Sequence, residues 1–363
     1  MFYTDELPGR TVVLDQREFL WCSGTSYLGM SRNPVFIERV LEGIRRVGIN
    51  WGSSRNNTLR LAIYEEAERV LAQWMGAPAA LTVSSGMMAG QVILKWLTFS
   101  QPGVLVLYAP NVHPALWADD FLPATESYET WFAELPERIR QSQAPEVVIV
   151  TDSVGSPHTR LVPFDWMNHL PTEARITVVV DDSHGLGVFS QGRGIYSQLS
   201  APANVRLLYV ASLNKALSVP AGVLAGPVEV MGAIRHFPMF SGASPANPAN
   251  LWAFTQSLGL YDEAHQLLSQ RVDQFVEELG ASIRLFHWLP AYPAFTTAQP
   301  GLHEYLREAG ILTACFPYPG PNDPAITRLV ITPLHEPSDI SRIAGACRAY
   351  EVRASVASEQ TEA

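Results

Sequence analysis

The chain has 363 residues, 47% of them hydrophobic, and a formal net charge of −10. That length suffices for a large core and two domains, and the acidic balance argues against nucleic acid or an anionic membrane surface as the main partner. No uncharged apolar run reaches the ~18 residues of a membrane span, MFYTDELPGR lacks the pattern of a signal peptide, and Cys22, Cys315 and Cys347 have no metal-ligand spacing. A cytoplasmic protein with reduced thiols and no metal is expected.

In chain order, the first periodic segment is Leu59–Met75 (LRLAIYEEAERVLAQWM), a helix with apolar residues at i, i+3 and i+4 and Gly76 behind it. A buried strand is predicted at Ala80–Val83, followed by Ser84-Ser85-Gly86 and a helix over Met87–Leu97. Further strands are predicted at Val104–Tyr108, Val147–Thr151, Ile176–Val180 and Leu207–Ala211, with a helix over Trp131–Gln141. The alternation predicts an α/β domain with a mostly parallel sheet. Beyond Phe237 the rhythm changes to a long helix over Asn250–Leu279, short strands near Phe286–Leu289 and Arg328–Thr332, and a helix after Pro337. This predicts a smaller C-terminal α+β domain, with GASPANPAN (242–250) as the connector. The organisation read from this is an N-terminal segment 1–45 belonging with the small domain, a large domain 46–240, a C-terminal segment 241–352 including the small domain, and a flexible polar tail 353–363.

In an open α/β sheet, ligands bind beyond the carboxyl ends of the strands. Polar and ionisable residues gather there. Ser84-Ser85-Gly86-Met87 joins a strand to a helix, where free N–H groups can hold a phosphate, although an ordinary capped turn reads the same way. Asp181-Asp182-Ser183-His184 puts a carboxylate at a strand end, suited to a protonated heteroaromatic nitrogen or to a structural turn. Adjacent strand residues point opposite ways, so at most one of the two aspartates faces the site. His113 reads as a stacking ring or a loop residue. Of the 25 basic residues only Lys95 and Lys215 are lysines. Arginine cannot lose its proton and form an imine; lysine can. Lys95 lies in a helical apolar stretch and should snorkel to water. Lys215 sits just past a strand end, in ASLNKALSVPAG, and is the nucleophile candidate.

Together these motifs resemble the fold type I pyridoxal-phosphate (PLP) enzymes, and among them the α-oxoamine synthases. The resemblance runs from Gly9 to about residue 350 and is strongest at VVVDDSHGLGVFSQGRG (178–194), which is similar to D-D-A-H-G-x-G-V-x-G-x-x-G-R-G. It implies that Lys215 forms the Schiff base with PLP, that Asp181 pairs with the ring nitrogen, and that His184 contacts the ring hydroxyl. It further implies that His113 stacks on the ring, that Gly86 and Met87 hold the phosphate with Ser212, and that Ser156 contacts the cofactor. A homodimer with shared sites is implied, with Ser244 reaching the partner's phosphate. The implied reaction is decarboxylative C-acylation of an amino acid by an acyl-CoA.

The substrate side departs from the family. Its carboxylate-binding arginine falls near Cys315 or Phe316, where none stands; Arg55 and Arg328 are the candidate replacements. Two alternatives therefore stay open: another PLP reaction on this fold, such as transamination or aldol cleavage, and a non-catalytic binding protein.

Overall fold

The computed structural model describes residues 3–119, 121–157, 159–318 and 322–361. The chain opens with a hairpin of β1 (Thr11–Leu14) and β2 (Arg17–Cys22). Helix α1 (Pro34–Val47) starts at Asn33, whose side chain accepts from the Val35 and Phe36 N–H groups. Then come α2 (Ile63–Met75), β3 (Ala79–Val83), α3 (Gly86–Ser100), β4 (Leu105–Tyr108), α4 (Tyr128–Ser142) and β5 (Glu146–Asp152). The short strands β6 (Val154–Gly155) and β7 (Arg160–Leu161) precede β8 (Arg175–Asp181), β9 (Val205–Ser212) and β10 (Gly222–Gly226). Next are α5 (Val228–Arg235), α6 (Pro238–Gly242), α7 (Pro248–Thr255) and α8 (Leu258–Leu279). The chain closes with β11 (Ala294–Thr297), α9 (Leu302–Glu308), β12 (Ile311–Pro317), β13 (Ala325–Val330) and α10 (Pro337–Thr361).

Two compact units result. One comprises Asn33–Ser156 and Leu161–Leu260; the other comprises the described residues up to Arg32, Pro157–Arg160 and those from Tyr261 onward.

The larger unit is built on a six-stranded sheet of order β3-β10-β9-β8-β5-β4. Strands β4, β5, β8 and β9 run parallel, as their unbroken Val/Ile/Leu runs predict. Val147–Val150 and Val178–Val180 are fully buried, so each strand is covered on both faces. Helix α3 packs Val92, Ile93, Leu94 and Leu97 into a core with Leu81, Val150, Val179, Leu208 and Leu224. Each such side chain contributes about 1.5–3 kcal/mol. The sheet is mostly parallel; β10 is the exception, antiparallel to both β3 and β9. Its sequence GVLAG carries no strand signal, because two glycines lower β propensity. Gly222 is required by proximity: a Cβ there would sit 2.1 Å from the Ser85 carbonyl oxygen.

The smaller unit carries a mixed sheet of order β1-β2-β12-β13-β11, in which β12 runs parallel to β2 and the other pairs are antiparallel. Arg10 clamps Asp339 at the start of α10 through Nε (2.6 Å to Oδ2) and Nη2 (2.9 Å to Oδ1). Two expectations fail within the C-terminal part. The helix expected over Asn250–Leu279 is two helices. It breaks at Gln256-Ser257, where the Ser257 hydroxyl turns back to donate to the Ala253 carbonyl at 2.6 Å and Gly259 weakens propagation. No strand forms at Phe286–Leu289. A 3-10 turn ends at Leu285, and only His287 pairs, with Thr296. Pro290 cannot donate to a ladder, and the strand is β11 instead.

Candidate active site

The parallel strands deliver their carboxyl ends to one edge of the larger unit, where a cavity of about 230 Å³ opens. Gly86, Met87, His113, Asp181, Ser212 and Lys215, all singled out from the sequence, line it together. Ser84, Ser183 and Asn214 also line it and were not foreseen as ligand-facing.

The entry to α3 forms one wall. The Ser85 hydroxyl accepts the Met88 N–H at 3.1 Å and caps the helix. The N–H groups of Gly86 and Met87, in the first turn, have no intrahelical acceptor and open toward the cavity edge. A Cβ on Gly86 would lie 2.7 Å from Ser212 Cβ and 2.9 Å from its Cα, so only glycine lets the helix start this close to the end of β9. An anion can be cradled here by backbone alone.

The aspartate doublet divides as strand geometry requires. Asp181, the last residue of β8, faces the cavity and accepts the Ser183 N–H at 2.8 Å. Asp182 turns into the protein, where it receives the Ser153 hydroxyl, the Ile195 N–H at 2.9 Å and the Tyr209 hydroxyl at 2.9 Å. Burial pushes its carboxyl up to about 6 despite these donors. The glycines that follow are moulded around it: a Cβ on Gly185 would meet Oδ1 at 2.0 Å, and one on Gly194 (φ +74) would meet Oδ2 at 2.5 Å. Part of the glycine pattern in DDSHGLGVFSQGRG thus shapes a buried hub around Asp182. Ser183 stands between the aspartates and His184. It is buried, and its hydroxyl accepts the Ser212 N–H at 2.8 Å, tying β8 to β9.

Lys215 sits in a tight loop after β9. Leu213 N–H donates to the Ala221 carbonyl at 2.9 Å, and Val219 N–H closes back on the Leu213 carbonyl at 3.0 Å. Lys215 Nζ lies 2.9 Å from His184 Nε2. His113 follows β4 and caps a short 3-10 turn: its Nδ1 accepts the Ala115 N–H at 3.1 Å, which places the ring proton on Nε2. Crowding by the cavity walls lowers its basicity; Asp181 opposes this and the charge on Lys215 adds to it. Lys95 instead reaches outward to Asp119 at 2.6 Å.

Other candidates lie elsewhere. Ser156, Ser244 and Arg55 do not line the cavity. Ser244 is exposed on the segment between α6 and α7. Arg55 is 3% exposed, locked against Glu68 at 2.9 Å with Tyr64 beneath its guanidinium, and a group so held is a core element rather than a free anion receptor. Arg328 belongs to the smaller unit, where it donates to the Tyr27 hydroxyl at 2.5 Å. Residues 319–321, in the stretch lacking the family arginine, lie outside the described residues. Among the described residues no cluster of His, Cys, Asp or Glu could hold a metal ion.

A mostly parallel sheet, a strand-end cavity with a helix N-terminus, a carboxylate and a lysine, and a separate α+β unit define a fold type I transferase. The chain matches the model of the aminotransferase class I and II family over residues 18–346 and belongs to that family. It is 26% identical over 353 residues to the 8-amino-7-oxononanoate synthase of Nitrosomonas eutropha, covering 92% of this chain and 90% of that one. The Yersinia pestis enzyme of the same name is 28% identical over 353 residues, with coverage of 92% and 90%. In structure it is similar to a serine palmitoyltransferase from S. paucimobilis solved with a bound PLP–myriocin aldimine (TM-score 0.81, 17% identical, covering 98% and 93%). It is likewise similar to the 8-amino-7-oxononanoate synthase of Francisella tularensis (TM-score 0.69, 20% identical, covering 93% and 99%).

Proposed function

We propose that this protein is a PLP-dependent acyltransferase that joins an amino acid to the acyl group of an acyl-CoA with loss of carbon dioxide. One observation carries the reading: an amine, a carboxylate and a backbone anion cradle, from Lys215, Asp181 and the start of α3, share a single cavity. The names of the relatives support the same reaction type.

The residues present fit the cofactor. Gly86 and Met87 would hold its phosphate with Ser212, which packs against Gly86 more closely than any Cβ would allow. Lys215 would hold its aldehyde carbon, Asp181 its ring nitrogen, and His113 would cover the ring. Bound there, PLP supplies an electron-withdrawing ring that stabilises negative charge at a substrate α-carbon. Asp181 would keep a proton on the ring nitrogen by ion pairing. Lys215 Nζ is the base placed to move the α-proton, and His184 Nε2 at 2.9 Å can exchange a proton with it. Ser244 would reach the cofactor of a partner subunit, and Ser156, which does not line this cavity, is given no contact in it. A homodimer fits the exposed apolar stripe of α1 (Ile37, Leu41, Ile44) and the exposed Met87. Sedimentation of the purified chain should give twice the 40.0 kDa chain mass; a monomer at micromolar concentration would remove the shared-site reading.

Borohydride should trap the cofactor on the wild-type chain and not on Lys215→Ala, and an amino acid plus acyl-CoA should release free thiol. Trapping at Lys95 would overturn the assignment of the nucleophile. Turnover of the amino acid with no thiol release would favour transamination or aldol cleavage.

A further inference from the structure

One buried acid beside the site, outside the lining of the cavity, has no role in the reaction as described. Asp152 ends β5 as Asp181 ends β8, and the two are ladder partners in parallel register. Parallel partners project to the same face, and adjacent strands lie roughly 5 Å apart. Both residues are 6% exposed, yet their surroundings differ. Asp181 faces the cavity and accepts the Ser183 N–H at 2.8 Å. Asp152 receives one long hydrogen bond, from the His113 N–H to Oδ2 at 3.2 Å, and among the described residues no donor reaches its Oδ1. Two carboxylates this close cannot both ionise cheaply, and the less solvated one keeps its proton.

We propose that Asp152 and Asp181 are an unequal carboxyl pair in which Asp152 stays protonated, and that Asp152 positions His113 by accepting its backbone N–H. The charged and titratable groups facing Asp152 are Asp181 from β8, Lys215 from the loop after β9 and His113 from the loop after β4. Burial raises the Asp152 carboxyl well above its ordinary range; Asp181 adds to this, and Lys215 and the His113 N–H oppose it. The pinning of His113 is two-sided, since Asp152 holds its backbone while its Nδ1 accepts the Ala115 N–H at 3.1 Å. What Asp181 does for a cofactor rests on the function proposed above. The proton on Asp152 does not.

Two variants test the pair. On the full chain without added cofactor, the denaturant midpoint is followed from about pH 5 to about pH 8. A carboxyl that keeps its proton on folding binds more protons folded than unfolded, so wild-type stability should fall steadily with rising pH relative to Asp152→Asn. Parallel profiles would overturn the protonated state. On the holoenzyme, the pH titration of the visible cofactor band should agree between wild type and Asp152→Asn within a few tenths of a unit. It should move in Asp152→Ala, where His113 loses its anchor. A shift of about one unit or more in Asp152→Asn would mean that a charge had been removed. Coincident Asn and Ala titrations would remove the positioning role. A wild-type chain that shows no visible band refutes the cofactor reading instead, and the unfolding arm still decides the proton.

Discussion

Two adjacent aspartates of identical chemistry are separated by the pleat of one strand. Asp181 projects to the cavity, and Asp182 is enclosed by Ser153, Ile195 and Tyr209. A hydroxyl can reverse its role between donor and acceptor, whereas the Ile195 N–H cannot. Asp182→Asn can keep its oxygen toward Ile195 and Tyr209 and present its amide to Ser153, and should cost about 1 kcal/mol or less. Asp182→Ala strands the Ile195 N–H and leaves a void, and should cost about 2–4 kcal/mol. Urea unfolding at neutral pH checks the order. An Asn variant as damaged as the Ala variant would mean that the charge itself holds the hub. The doublet was legible as a division of labour, because strand side chains alternate. Which member faced the site came only from the resemblance. Ser183 was passed over, because a serine in a turn reads as a cap, and only proximity to Ser212 gives it another function.

At the scale of elements, the strands and helices around the site lie where apolar runs place them, with ends differing by a few residues. What joins neighbouring elements is harder to read. In the smaller unit, His335 bridges β2 to the turn after β13: its Nδ1 accepts the Thr332 N–H at 3.1 Å, so Nε2 carries the proton and donates to the Trp21 carbonyl at 3.1 Å. Burial lowers its basicity, with Arg10 adding to this and Asp339 and the two backbone contacts opposing it. A base whose folded pKa is depressed binds fewer protons folded than unfolded. Its contribution is therefore complete above the ordinary imidazole value of 6.5 and is lost as pH falls below it. Wild-type unfolding midpoints should drop between about pH 7 and pH 5 more steeply than those of His335→Gln. Equal slopes would show that His335 does not titrate on unfolding. Nothing in the segment TPLHEP marks this histidine, since the partner that ties it to β2, Trp21, lies more than three hundred residues away.

For the whole molecule, the chain order of cradle, ring-facing histidine, aspartate and lysine, each after its own strand, was enough to state the fold type and the cofactor. A parallel sheet converts sequence position into spatial position in a regular way. Every βα turn emerges at the same edge, so residues at strand ends converge without knowledge of their contacts. Strand β10 escaped that logic because its glycines are dictated by the Ser85 backbone beside it, and the break between α7 and α8 because helix periodicity runs through it. Arg55 looked like a substrate group because a loop arginine near a Gly/Ser-rich turn carries no mark of burial. The sequence by itself determined the parallel strands, their active edge and the chemical types gathered there, since hydrophobic period and chain direction are local properties. Only the tertiary structure decided which charges face the cavity. It buried Asp182 and Arg55, left Asp181 and Lys215 at the cavity and set Asp152 beside Asp181, because solvation and pairing depend on neighbours that are distant along the chain.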